Sequence, residues 1–267
     1  MPVNTGNMDL LLNRVIKQTH AMQTLTGKLP DIQTTIKGIL EACKPASDTS
    51  SMQEDAATDL PVLEQAFEQL LDVMARIESD NQAASDAAGG DITEIGAYAL
   101  RLQESLAGIT EKPGLAEQKQ PLATLTINLA SWIACHNGQL ETLEPIVDAL
   151  ALLANTTQEP QQLEQLSGVI EQIIGAVSAP VSQDLEKMNP GRPWRVLLLN
   201  HGIVATRSHN TGRMESAFAL LTSKLPEDAT RFFSEGMQQM DALDYPPRVR
   251  EVMEKYHREW PVNRSLH

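Results

Sequence analysis

The sequence predicts an all-α protein, on three observations. Leu, Ala, Glu and Gln dominate the 267 residues and aromatics make up only 4%; these common side chains lose little rotamer freedom in a helix, and the β-branched, aromatic-rich runs that mark strands are missing. Apolar residues recur at three-to-four spacing in segment after segment, the period of a helix face. Proline and glycine punctuate those segments. A hydrophobic content of 42% supplies a core for one large or two ordinary domains.

Residues 8 to 44 read as a helical hairpin. Met8, Leu11, Leu12, Val15, Met22 and Leu25 step along one face, Leu29-Pro30-Asp31 interrupts, and Ile32, Ile36, Ile39, Leu40 and Cys43 resume the pattern. Residues 45 to 58 carry several acids and almost no large apolar side chain, cannot offset the entropy of ordering, and read as a linker. A helix follows Asp59, with Pro61 in its first turn and Leu60, Leu63, Phe67, Leu70, Met74 and Ile77 on one face. The polar stretch 79 to 90 ends in Gly89-Gly90 and breaks the chain again. Asp91-Ile92-Thr93-Glu94 has the spacing of a capping box, and Ile92, Ile95, Ala99, Leu102, Leu106 and Ile109 form a seam suited to a long helical neighbour inside a bundle.

After the Lys112-Pro113-Gly114 turn the loops shorten. Helices are expected at 121–136, 139–155, 161–188, 193–208, 212–224, 227–242 and 247–260, separated by Gly138, Pro160, Pro190-Gly191, Gly212, Pro226 and Pro246-Pro247. Pro180 lies inside 161–188; its missing amide and its ring should kink or split that helix. The expected organisation is an N-terminal hairpin with acidic linker (1–58), bundle helices (59–112), and an α-solenoid-like stack of antiparallel helical hairpins (113–267).

Charge is unevenly spread. The net charge of −14 argues against wholesale binding to nucleic-acid backbone, which rewards clustered Lys and Arg. Residues 1 to 186 hold 9 Lys/Arg against 26 Asp/Glu, whereas residues 187 to 267 hold 12 against 9 and seven of the ten aromatics: Trp194, Phe218, Phe232, Phe233, Tyr245, Tyr256 and Trp260. Residues 1 to 15 show no basic region followed by an apolar one. The most apolar stretch, 146 to 154, contains Asp148 and is far shorter than the roughly 20 residues a bilayer needs. A cytoplasmic chain without a membrane partner is expected, its two cysteines, Cys43 and Cys135, reduced and buried.

One internal resemblance stands out. His136-Asn137-Gly138-Gln139-Leu140-Glu141 and His209-Asn210-Thr211-Gly212-Arg213-Met214-Glu215 share a helix end, a glycine turn and a helix start, with the glycines 74 residues apart; half that interval is near the period of helical-hairpin repeats. Gly212-Arg213-Met214-Glu215-Ser216-Ala217, ending at Leu225-Pro226-Glu227-Asp228, resembles the second helix of a tetratricopeptide repeat. Gly138-Gln139-Leu140-Glu141 is similar, with Leu143 at the small-residue position, and the Trp, Leu-Gly and Tyr pattern of the first helix is reproduced in neither unit. The resemblance covers residues 115 to 260 and implies a concave groove lined by first helices, with Asn128, Trp132, Thr206 and His209 facing it. Trp132 as a plain core residue is the alternative.

The richest polar segment is Asn189-Pro190-Gly191-Arg192-Pro193-Trp194-Arg195, followed by Asn200, His201, Arg207, Ser208, His209 and Arg213. On a helix Asn200 and Arg207 share a face, and Trp194, His201 and Ala205 lie on the adjoining side. Guanidinium groups bind carboxylates bidentately and Trp194 offers a ring face, so an acidic or carboxylate-bearing peptide, or a phosphate, suits the cluster. Alternatively these arginines pair with the protein's own acidic first half, within the chain or across a dimer, or cap the last carbonyls of helices, and Trp194 anchors a helix start. No two of the six histidines have the helical i, i+4 zinc spacing, no Cys-x-x-Cys occurs, and neither a Gly-x-Ser-x-Gly elbow nor a phosphate loop is present. Metal, cofactor and catalytic residues are therefore not assigned.

Three functions follow, in order of preference. The first is a non-catalytic scaffold or adaptor holding a protein partner through its C-terminal half, while the N-terminal hairpin with its acidic linker oligomerises or reaches a second partner; the contact set is Asn128, Trp132, Arg192, Trp194, Arg195, Asn200, His201, Arg207, His209 and Arg213. The second is a ligand-binding or enzymatic protein with its site near Arg192, Trp194, His201 and Arg207. The third, nucleic-acid binding through the basic C-terminal third, meets Glu251, Glu254 and Glu259 among the basic residues of the last helix.

Overall fold

The computed structural model describes residue 25 and residues 27–47, 60–79, 89–185 and 187–261. Among these residues the chain is almost wholly helical, with eleven α-helices and no strand. The first arm of the expected hairpin, up to residue 24, and most of the linker after it lie outside the described residues. One compact unit runs to Thr156 and takes in Gln172–Gln183; a second comprises Thr157–Glu171 and the chain from Asp184 onward.

The first unit is built from α1 (Leu29–Ser47), α2 (Leu60–Ser79), α3 (Gly89–Thr110), α4 (Lys119–Cys135, after a 3-10 turn at Ala116–Gln118) and α5 (Glu144–Thr156). The apolar face read from periodicity in α2, Leu60, Leu63, Phe67, Leu70, Met74 and Ile77, is buried. Helix α1 packs on α2 and α4, α2 on α3, and α3 on α4, so four helices close a ring; α5 also packs on α4. That third neighbour leaves α4 no solvent side, and every residue from Ala123 to Ile133 is buried.

A helix surrounded by protein must satisfy its polar groups internally. The hydroxyls of Thr124 and Thr126 donate to the carbonyls of Gln120 and Leu122 one turn back. Asn128 Oδ1 accepts the Gly27 N–H at 3.2 Å, and Trp132 Nε1 donates to Glu78 at 3.1 Å. Gly27 has φ 63°, and a Cβ there would stand 2.8 Å from Ser131 Cβ and 2.9 Å from the Trp132 nitrogen. Only glycine allows the chain before α1 to approach α4 so closely.

Two helix boundaries differ from expectation. The helix expected from residue 139 starts at Glu144, because residues 139–143 run extended. Leu140 donates its N–H to Ala176 O and accepts from Ser178 N–H, forming an isolated parallel bridge with Val177. Pro145, suited to the first turn of a helix, marks the later start. The helix expected over 161–188 divides into α6 (Pro160–Ala176) and α7 (Ala179–Ser182), with Pro180 in the first turn of the second piece. Cys43 is buried as expected, but Cys135 is exposed, because it ends α4 beyond the packed stretch.

In the second unit, α8 (Pro193–Arg207) and α9 (Thr211–Lys224) pack as one hairpin, and α10 (Pro226–Ala242) and α11 (Pro247–Glu259) as another. Helix α9 touches α8, α10 and α11. Its Phe218 is fully buried and meets Phe233, Tyr256 and Phe232 edge-on, with centroids 5.1, 5.2 and 5.7 Å away. Edge-to-face packing matches positive ring edges to negative faces, so the aromatic-rich C-terminal third has an oriented core. The α8–α9 turn is sharp because His209 takes φ 59° and Asn210 caps α9, its side chain accepting from Arg213 N–H. In the matching turn near 136 the left-handed residue is Asn137, φ 60°, one place later, and extended chain rather than helix follows. Among the described residues no helix is long and apolar enough to cross a membrane.

Candidate functional site

The polar segment before α8 is organised from the inside by two arginines. Arg192 lies just ahead of the helix with its side chain buried, and donates to Asp184 Oδ1 at 2.5 Å, to the carbonyls of Lys187 and Asn189 at 3.3 and 3.2 Å, and to Glu227 at 3.2 Å. Arg195, one turn on, grips Asp228 through two nitrogens at 2.7 and 2.5 Å and donates to Pro190 O at 2.7 Å. Asn189 Oδ1 accepts the Gly191 N–H across the turn. The hydrogen bond that Arg192 donates to Asp184 raises its pKa above the ordinary guanidinium value, and the one that Arg195 donates to Asp228 does the same for Arg195. A guanidinium presents its donors in a rigid planar fork, so the acceptors around each arginine are held in fixed directions.

This fastened loop displays apolar side chains. Leu185 is 82% exposed and Met188 96% exposed. Asp184, beside them, holds φ 54°, a left-handed conformation that Asp tolerates better than most residues. The loop thus presents two hydrophobic groups on a backbone tied down by Arg192 and Arg195.

The other predicted residues of this unit lie along α8 and the start of α9. Trp194 and His201 are buried. The Trp194 indole nitrogen, Asn200 Nδ2, both His201 ring nitrogens and Ser167 Oγ are buried without a hydrogen-bond partner. Burial pushes the His201 pKa down to about 4, outweighing the upward pull of Glu171, while Arg213 adds to the depression. Arg213 is ion-paired with Glu171, and its guanidinium lies against Gly168, where an added Cβ would be 3.0 Å from Nη2. Arg207 donates to Thr157 O at 2.7 Å, Asn210 to Glu164 at 2.7 Å, and the exposed His209 ring lies edge-on to Tyr245, 5.4 Å away.

The structure therefore brings Arg192 and Arg195 together at one loop, and His201 and Arg213 together where α6, α8 and α9 meet. Asn128 and Trp132 are fully buried in α4 of the first unit, and the buried Thr206 hydroxyl donates back to Gly202 O. Sequence reasoning missed the acids that engage the arginines, Asp184, Glu227, Asp228 and Glu171, and the exposed pair Leu185 and Met188. A signal for the pair exists, since two large apolar residues interrupt an otherwise polar run ending in Asn189-Pro190-Gly191.

The first unit also carries an open cleft of about 740 Å³ between α3 and the 137–141 segment, lined by Thr93, Glu94, Arg101, Asn137, Gln139 and Glu141 among others. Its walls are mostly exposed side chains, with Thr93 half-buried, and are tied at one point by the Gln139 N–H to Thr93 Oγ1 bond of 2.9 Å. Among the described residues no group of three or more His, Cys, Asp or Glu is placed to hold a metal ion. No protein-family model, curated protein or solved structure matches this chain.

Proposed function

We propose that this chain is a non-catalytic interaction scaffold of the cytoplasm, built from tetratricopeptide-like helical hairpins, that engages a protein partner through its C-terminal half. The observation that supports this reading is the turn region formed by residues 184, 185 and 187–191. Arg192 and Arg195 fix its backbone through Asp184 and the carbonyls of Lys187, Asn189 and Pro190, while Leu185 and Met188 project into solvent. Ordering a loop before contact removes part of the entropic cost of association, and large apolar side chains docked in a partner's pocket carry much of the binding energy at protein interfaces. On this reading the two arginines serve the contact by shaping the loop, and the partner offers an apolar pocket.

The test places a photo-crosslinking amino acid at position 188 of the full chain, in native lysate, with position 62 on exposed Val62 of α2 as the control. The expected result is one dominant adduct specific to position 188, lost when Leu185 is changed to Asp. A second copy of the chain as the adduct identifies the partner as itself. The same mixture of abundant proteins at both positions overturns the proposal.

A further inference from the structure

His201 is an unusual residue to bury. Its ring is 2% exposed, neither nitrogen has a hydrogen-bond partner, and it sits where α6, α8 and α9 converge. The charged groups facing it are Glu171 from α6 and Arg213 from α9, which are bonded to each other. On the surrounding helices Glu164 is engaged with Asn210, Arg207 with Thr157 O, Arg195 with Asp228, and Glu215 with Lys255, and Lys224 lies at the far end of α9. Gly168 leaves room for the Arg213 guanidinium against the α6 backbone.

A protonated imidazole has two N–H donors and needs two acceptors. Here the nearby carboxylate is taken by Arg213, whose own positive charge opposes a second cation. Above about pH 4 the ring takes up a proton favourably only after the helices part.

We propose that residues 160–171 are held against α8 and α9 by an acid-labile joint centred on His201, which opens locally as the surroundings acidify. The Glu171–Arg213 pair sets the threshold. Glu171 favours the charged ring and Arg213 disfavours it, so removing either one moves the response in an opposite and predictable direction.

The ring titrates near 4 in the closed joint and close to its ordinary 6.5 when open. Between about pH 7.5 and about pH 5 the opening constant therefore rises on the order of 25-fold. Hydrogen exchange on the full-length chain, corrected for the intrinsic pH dependence of exchange, reads this directly at the amides of residues 160–171, with α4 as the internal reference. The expected result is a loss of protection on the order of 25-fold in 160–171 and far less in α4. His201→Gln, which cannot charge, should abolish the acid response. Should that variant fold poorly, two changes at half-exposed positions decide the matter when the series is carried down to pH 4, where the closed ring itself begins to charge: Arg213→Gln should shrink the response and Glu171→Gln should enlarge it. Equal loss of protection in 160–171 and α4, or an unchanged response in these variants, overturns the proposal.

Discussion

Replacing Arg192 with Met tests whether the loop before α8 is organised by a buried charge. The side chains of Arg192 and Asp184 are only 5% and 7% exposed and their bond is 2.5 Å. Removing the cation leaves a carboxylate in a site almost closed to water, a loss of about 3–5 kcal/mol for buried pairs. The carbonyls of Lys187 and Asn189 lose donors too, but both residues are exposed and water replaces the arginine at little cost. The expected loss is therefore about 3 kcal/mol, towards the lower end of that range. Urea unfolding followed by far-UV circular dichroism measures it. Asp184→Asn removes the stranded charge and suits the φ of 54°, so the double variant should recover at least about half the loss, a coupling of roughly 1.5 kcal/mol or more. A loss below about 1 kcal/mol for Arg192→Met, or additivity with Asp184→Asn, would refute the reasoning.

Three further outcomes follow from the packing. The His201 pKa is depressed to about 4 in the fold, so its contribution is fully present above its unfolded value near 6.5 and is lost as pH falls through 4; stability should drop by about 2 kcal/mol between pH 7 and pH 5 and by about 3 by pH 4, and His201→Gln should flatten that slope. Gly27→Ala forces a Cβ to within 2.8 Å of Ser131 Cβ at φ 63° and should cost about 2–3 kcal/mol in thermal or urea unfolding of the first unit; a loss under about 0.5 kcal/mol would show that the approach to α4 is not tight. Phe218→Ala empties the centre of the aromatic cluster and should cost about 3–5 kcal/mol, read from the near-ultraviolet dichroism and midpoint of the second unit.

Helical content was legible because its signals are local. Among the described residues the face of three-to-four spacing from Leu60 to Ile77 became a buried face, and prolines at positions 61, 193, 226 and 247 sit in the first turns of helices. The misread start of α5 had a local sign as well, Pro145, but the extended stretch before it depends on a bridge to Val177, distant in sequence, that no periodicity encodes. The site was harder to read for the same reason. Arg192, Trp194 and Arg195 could be singled out by residue type, yet whether a guanidinium is free or engaged depends on partners such as Glu227 and Asp228, more than 30 residues away. Exposure of Leu185 and Met188 depends on the folded loop in turn. Composition hid the two polarities of α4, whose Thr, Asn and Ser residues look like a solvated face and lie in the most enclosed helix of the first unit.

That enclosure bears on how the protein can change over time. A helix with one free side absorbs substitutions there at little cost, whereas Ala123 to Ile133 have contacts on every side. Nearly any change in this stretch is a change of volume or of hydrogen bonding in a closed space. It should therefore be the slowest part of the first unit to exchange its amide protons and the most intolerant in a saturation mutagenesis screen, on packing alone, since Asn128 and Trp132 of the contact set read from the sequence are fully buried there. Relatives of this chain, however far their surfaces have drifted, are best sought by the pattern Ala-Thr-Leu-Thr-Ile-Asn-Leu-Ala-Ser-Trp-Ile.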